Sequence, residues 1–197
     1  MKENILFLLQ IITIDFFTAF GLYSILYLIV SIFVKKPILY KIDEEAVKFI
    51  SLAGVIYFAV WIIGIFVFYA ENNPEEKNDM LNRMFGKYWI GFWSQPILWF
   101  ALTQLLRFKK VRKNALLRIV FSFLLIVSIE QFIIFITSFH RDYLPSSWTM
   151  YRDLDIYPSN FFLAILMKIV FFLFFVGIYY LAKNQIKIFA KTKRIEN

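Results

Sequence analysis

Five long apolar stretches separated by short polar connections make up most of the chain: residues 5–34, 49–69, 88–106, 119–139 and 161–182. Each is long enough to cross a hydrocarbon core, for which an α-helix needs roughly 20 residues. The pattern predicts an all-α polytopic membrane protein with about five transmembrane helices in a single transmembrane domain, residues 1–197. The longest connections, 70–87 and 140–160, are too short to fold alone. The second predicts a structured loop, because charges, hydroxyls, Pro145 and the one histidine of the chain crowd its first residues.

Composition agrees with this reading. The chain is 60% hydrophobic and 21% aromatic, against about 45–50% apolar residues in soluble domains. The first stretch does not read as a cleaved leader. It is too long, its flank pairs Lys2 with Glu3, and no small-x-small pattern follows it. It is expected to persist as a tilted or protruding helix.

Charge distribution sets an expected orientation. The connection 107–118 carries Arg107, Lys109, Lys110, Arg112, Lys113 and Arg118 without an acid. Lys35, Lys36, Lys41 and Lys48 crowd the first connection, and Lys183, Lys187, Lys191, Lys193 and Arg194 the tail, whereas 70–87 holds Glu71, Glu75, Glu76 and Asp79. The positive-inside rule then predicts an N-terminus outside and a C-terminus in the cytoplasm. The basic segments are expected to fix topology and meet anionic lipid, not nucleic acid. The aromatic residues Tyr143, Trp148, Tyr151 and Tyr157 in 140–160 suit the headgroup level of the outer face.

Several chemistries are excluded. There is no cysteine and a single histidine, so an iron–sulfur cluster, a thiolate zinc site and a thioether- or bis-histidine-bound haem have no ligands. No metal site is expected, and no phosphate-binding glycine motif is present.

Three ionisable residues fall well inside the stretches: Asp15, Glu130 and Lys168. Each costs about 2.5–3.5 kcal/mol on insertion scales and should find a partner. At about 1.5 Å rise per residue, all three fall roughly 10–15 Å below the outer boundary. Two acids and a base in one layer predict either a proton-handling network or an ion pair that fixes helix packing. Gln131 and Thr137 extend that layer on the same helix as Glu130, and Thr18 lies near Asp15. Pro96 is expected to kink the third helix, with Gln95 satisfying the carbonyl it frees.

Two segments carry a family likeness. One is the basic turn from Gln104 to Asn114. The other runs from Glu130 through Phe132 and Thr137 to His140-Arg141-Asp142-Tyr143-Leu144-Pro145-Ser146-Ser147-Trp148. These resemble the integral-membrane subunits of the polysulfide-reductase type (NrfD-like), in particular those of the bacterial alternative complex III. The likeness covers residues 88–182. Family members have two four-helix bundles plus flanking helices, so the resemblance implies one four-helix bundle plus one extra helix here. In the family a periplasmic iron–sulfur subunit sits over the outer face and quinol is oxidised beneath it. Much of that quinol pocket belongs to a second bundle, for which these residues have no counterpart. Where the family pattern is Glu-Arg-Phe, this chain has Glu130-Gln131-Phe132, and Lys168 of the neighbouring helix is the candidate replacement for that counter-charge.

The resemblance implies a membrane-anchor subunit of a quinol-linked respiratory complex in the bacterial cytoplasmic (inner) membrane. His140, Arg141, Asp142, Pro145 and Trp148 would form a loop docking on periplasmic or membrane partners. Glu130, Asp15, Lys168, Gln131 and Thr137 are the candidate proton-handling or structural network. This chain alone would bind no haem or iron–sulfur cluster, which belong to partner subunits. Quinone is the one redox cofactor it could meet, and lipids its other contacts. The alternative is a purely structural, lipid-facing accessory subunit without quinone or proton chemistry. An unrelated small transporter is disfavoured, since no inverted repeat is evident.

Overall fold

A computed structural model describes residues 1–87, 89–129, 157–158 and 160–196. It is all-helical, with 89% helix. Helix α1 (Lys2–Ile11) passes through a π-helical segment (Ile12–Thr18) into α2 (Ala19–Phe33). Helices α3 (Pro37–Glu71), α4 (Pro74–Phe85), α5 (Trp89–Leu105), α6 (Lys109–Lys113), α7 (Ala115–Ile126) and α8 (Phe161–Glu196) follow.

Helix ends follow local chemistry. Pro37 occupies the start of α3, where its missing N–H and fixed φ favour a first turn. The first basic connection therefore shrinks to residues 34–36, and Lys41, Asp43, Glu44, Glu45 and Lys48 all ride on α3. At 35 residues, α3 is about 52 Å long, well beyond the ~30 Å of a hydrocarbon core. The acid-rich connection 70–87, expected as a loop, contains α4. Its start is a capping box: the Asn73 side chain accepts from the Glu76 N–H at 2.9 Å, and the Glu76 carboxylate accepts from the Asn73 N–H at 3.1 Å. Asn114 accepts from the Leu117 N–H at the start of α7, and Asn160 from the Phe162 N–H at the start of α8.

Within the described part of the fourth apolar stretch, α7 starts at Ala115, earlier than predicted, and ends at Ile126, where Val127 turns to extended backbone (φ −105°, ψ 123°). Among the described residues, three helical stretches are long and apolar enough to cross a membrane: Lys2–Phe33, Pro37–Glu71 and Phe161–Phe189.

Close packing depends on two glycines. A Cβ at Gly21 would fall 2.6 Å from Ile126 Cγ1 and 2.8 Å from the Ser122 carbonyl oxygen, so α2 and α7 meet nearly backbone to backbone. Gly54 lies directly under the Thr103 side chain, which brings α3 against α5. Small residues at such crossings are the usual route to tight helix association in lipid, where burial of apolar surface no longer drives contact. Nearby, the Ser51 hydroxyl lies 2.9 Å from the Thr103 carbonyl oxygen, and the Gln104 amide donates to the Ser51 carbonyl at 2.9 Å.

The interior is aromatic. Phe17, Tyr57 and Trp99 form an edge-to-face triangle with centroids 5.2–5.6 Å apart. The Trp99 indole donates to the Leu124 carbonyl at 3.1 Å, tying α5 to α7. Phe172 of α8 packs on Phe20 and Tyr23 of α2. The Trp93 indole donates to the Met84 carbonyl at 2.9 Å and holds α4 against α5.

Candidate functional site: two buried polar layers

The first layer surrounds the π-helical segment. A π-helix pairs residues five apart instead of four, widening the turn, and often occurs at functional positions. Here the wide turn carries Asp15, which is 2% exposed. The Thr18 hydroxyl donates to the Thr13 carbonyl, five residues back, at 3.1 Å. Tyr157, just before α8, donates its hydroxyl to the Asp15 carboxylate. The Lys168 ammonium, on α8 and also buried, sits 5.0 Å from the centre of the Tyr157 ring. Asp15 and Lys168 are thus gathered around one phenol that the sequence reading had placed at the headgroup level. Glu130, Gln131 and Thr137 lie outside the described residues, as do His140, Arg141, Asp142, Pro145 and Trp148.

Gln95 has a different partner from the one expected. Its side-chain carbonyl accepts from the Ile129 N–H at 2.5 Å, beyond the end of α7. Its amide nitrogen has no hydrogen-bond partner among the described residues. It therefore meets the backbone just past the break at Val127 rather than the carbonyl freed by Pro96.

The second layer was not anticipated. Arg118 is 1% exposed, and its guanidinium grips Asp43 with two prongs: Nη1 donates to Oδ2 at 2.9 Å and Nη2 to Oδ1. Nε donates to the Ser24 hydroxyl at 2.6 Å, and the guanidinium carbon lies 4.4 Å from the centre of the Tyr27 ring. Fork-to-fork pairing with a carboxylate and stacking on an aromatic face are interactions that lysine cannot duplicate. The Tyr23 hydroxyl is buried alongside Asp43. Beside this layer, Lys183 of α8 contacts both Glu45 oxygens, at 2.8 and 2.5 Å, while Lys48 reaches Glu45 at 2.9 Å and Glu44 at 3.2 Å. Arg118 and Lys183, read from sequence as topology signals, are therefore also ties between helices, while Lys48 pairs within α3.

Both partners of the second layer left a signal in the sequence. Asp43 belongs to the buried α3 stripe 43, 46, 47, 50, 53, 54 and 57, and Arg118 to the α7 stripe 118, 122 and 125. The spacing of three and four marks one helix face. Chemically the layers differ. The Arg118–Asp43 pair is closed by Ser24 and Tyr27, whereas the Asp15 layer joins an acid, a phenol and a base on separate elements. A groove of 420 Å³ elsewhere, lined in part by Ile5, Leu9, Trp61 and Phe92, includes neither Asp15 nor Lys168. Among the described residues no three metal-ligating side chains converge.

Comparison with protein-family models, curated proteins and solved structures finds no match to this chain.

Proposed function

We propose that this chain is a membrane-anchor subunit of a quinol-linked respiratory electron-transfer complex, of the alternative complex III kind. The observation that carries the reading is the hydrogen bond from Tyr157 to Asp15. Tyr157 closes the connection that contains the family-like segment, and the bond ties that connection to a buried acid within the bundle.

On this reading the chain crosses the cytoplasmic membrane five times as a four-helix bundle plus one helix, with its N-terminus outside. His140, Arg141, Asp142, Pro145 and Trp148 dock on periplasmic or membrane partners that carry the haem and iron–sulfur clusters. Asp15, Tyr157 and Lys168 form the inner part of a proton-handling layer completed by Glu130, Gln131 and Thr137. A quinol oxidised there gives a proton to a carboxylate of that layer as its electrons pass to the clusters of the partner subunits, the ordinary requirement of proton-coupled oxidation.

A second reading is favoured by the closed Arg118–Asp43 pair. It treats the chain as a scaffold that has kept packing and docking and lost chemistry. Purification of the tagged chain from its native membrane in mild detergent, with partner identification and a visible redox spectrum, tests both. Co-purifying c-type haem and iron–sulfur proteins support a respiratory subunit. Recovery of the chain alone and colourless overturns both the anchor and the accessory form.

A further inference from the structure

The 420 Å³ groove opens between α1, α3, α4 and α5. Its floor is apolar, built from Leu6, Leu9, Trp61, Ile65, Phe68 and Phe92. Its volume lies at the lower end of the ~300–1,000 Å³ typical of small-ligand sites, suited to one acyl chain rather than a whole lipid. The rim is polar and comes mainly from α4, which supplies Glu76, Asp79 and Arg83.

Two of the four polar rim residues are already committed. Glu76 closes the capping box, and Lys2 donates to the Asn72 side chain at 2.5 Å. Asp79 and Arg83 are not: among the described residues neither makes an ion pair or a side-chain hydrogen bond. An acid and a base four residues apart on a helix ordinarily pair with each other. Here both charges border the mouth of an apolar groove, on a helix that joins two apolar ones.

We propose that the groove holds one acyl chain of a phospholipid whose headgroup bears a primary ammonium, of the phosphatidylethanolamine class. The ammonium pairs with Asp79 and the phosphate with Arg83, whose planar fork suits phosphate oxygens. A choline headgroup fits the same space but has no N–H to donate. A glycerol headgroup brings only negative charge to a rim that already carries two acids. This site depends on the membrane character of the long helices and not on the quinol-linked reading.

The test is native mass spectrometry of the full chain in micelles doped with equal amounts of ethanolamine, choline and glycerol phospholipids of identical acyl chains. The ethanolamine lipid should be retained in roughly threefold to tenfold excess, the worth of about one ordinary hydrogen bond. Asp79→Asn should erase the preference for ethanolamine over choline. Arg83→Gln should weaken both alike, and Leu9→Trp, which fills the floor, should weaken all three. Equal retention by the unmodified chain, a preference untouched by Asp79→Asn, or a quinone retained in place of lipid overturns the proposal. The comparison on the unmodified chain decides even where a variant folds poorly.

Discussion

Arg118 and Asp43 stand 75 positions apart in the chain, yet their side chains share a two-pronged ion pair in the protein interior. The pair joins α7 to α3, and through Ser24 and Tyr27 it also takes in α2. Removing one partner strands a buried charge. Asp43→Ala should therefore destabilise the protein by about 3–5 kcal/mol, while replacing both together (Arg118→Met with Asp43→Leu) should recover most of the loss. Reversible unfolding in mixed detergent micelles measures both. Equal losses in the single and double variants would show that the pair contributes little beyond packing volume.

Gly54 under Thr103 is a steric prediction. A methyl group at Gly54 collides with the Thr103 side chain, so Gly54→Ala should cost about 1–3 kcal/mol, the usual range for overpacking. Adding Thr103→Ala should restore part of it, since the hydroxyl and methyl that meet the new Cβ are removed. The same unfolding assay reads this, and a Gly54→Ala protein as stable as the parent would mean that the two helices can move apart freely.

The two ends of the Tyr157–Asp15 bond separate stability from chemistry. Tyr157→Phe leaves the acid without its phenol donor and should lower stability by about 1–3 kcal/mol. Asp15→Asn retains an acceptor for the phenol and should be milder in unfolding. In the proposed respiratory complex it should nevertheless slow proton-coupled turnover. Similar stability losses with unaltered turnover would reduce the layer to a packing device.

Glu130→Gln should lower the turnover of the same complex without affecting its assembly, read as an unchanged set of co-purifying subunits. Unaltered turnover assigns Glu130 to packing.

The capping box predicts a difference between two small residues. Asn73→Ala should destabilise α4 by about 1 kcal/mol and Asn73→Gly by only a few tenths. Hydrogen exchange of the α4 amides reports each. Protection retained in both would indicate that Pro74 and the Trp93 contact, not the cap, hold the helix in place.

The helical class was legible because apolar runs of about 20 residues have few other structures open to them. Asp15 and Lys168 stood out as charges inside such runs, and the structure gathers both around Tyr157. Arg118 and Asp43 did not stand out, because each lies among other charges near the end of an apolar run. Only their places in the buried stripes distinguish them from Arg112 or Lys41. The α4 helix was announced by Asn73-Pro74-Glu75-Glu76, a capping signal, but its acids were weighed as an orientation marker alone. The break at Val127 has no proline or glycine to betray it. It is visible only once the Gln95 side chain is seen meeting the Ile129 N–H.

The π-helical segment Ile12–Thr18 works as a phase shifter in an otherwise regular screw. Each residue of an α-helix advances the side-chain direction by about 100°, and a wide turn holds back that advance by roughly one residue. The face that α1 presents through Ile5 and the face that α2 presents through Gly21 and Ser24 are therefore set independently of the 3.6-residue period. Deleting a single residue here would return the screw to its ordinary pitch and rotate one half against the other. Either Gly21 would leave its seat beneath Ser122 and Ile126, or Ile5 would leave Gly64. Insertions and deletions in this short segment should thus be far less tolerated than substitutions, with Asp15 at the pivot.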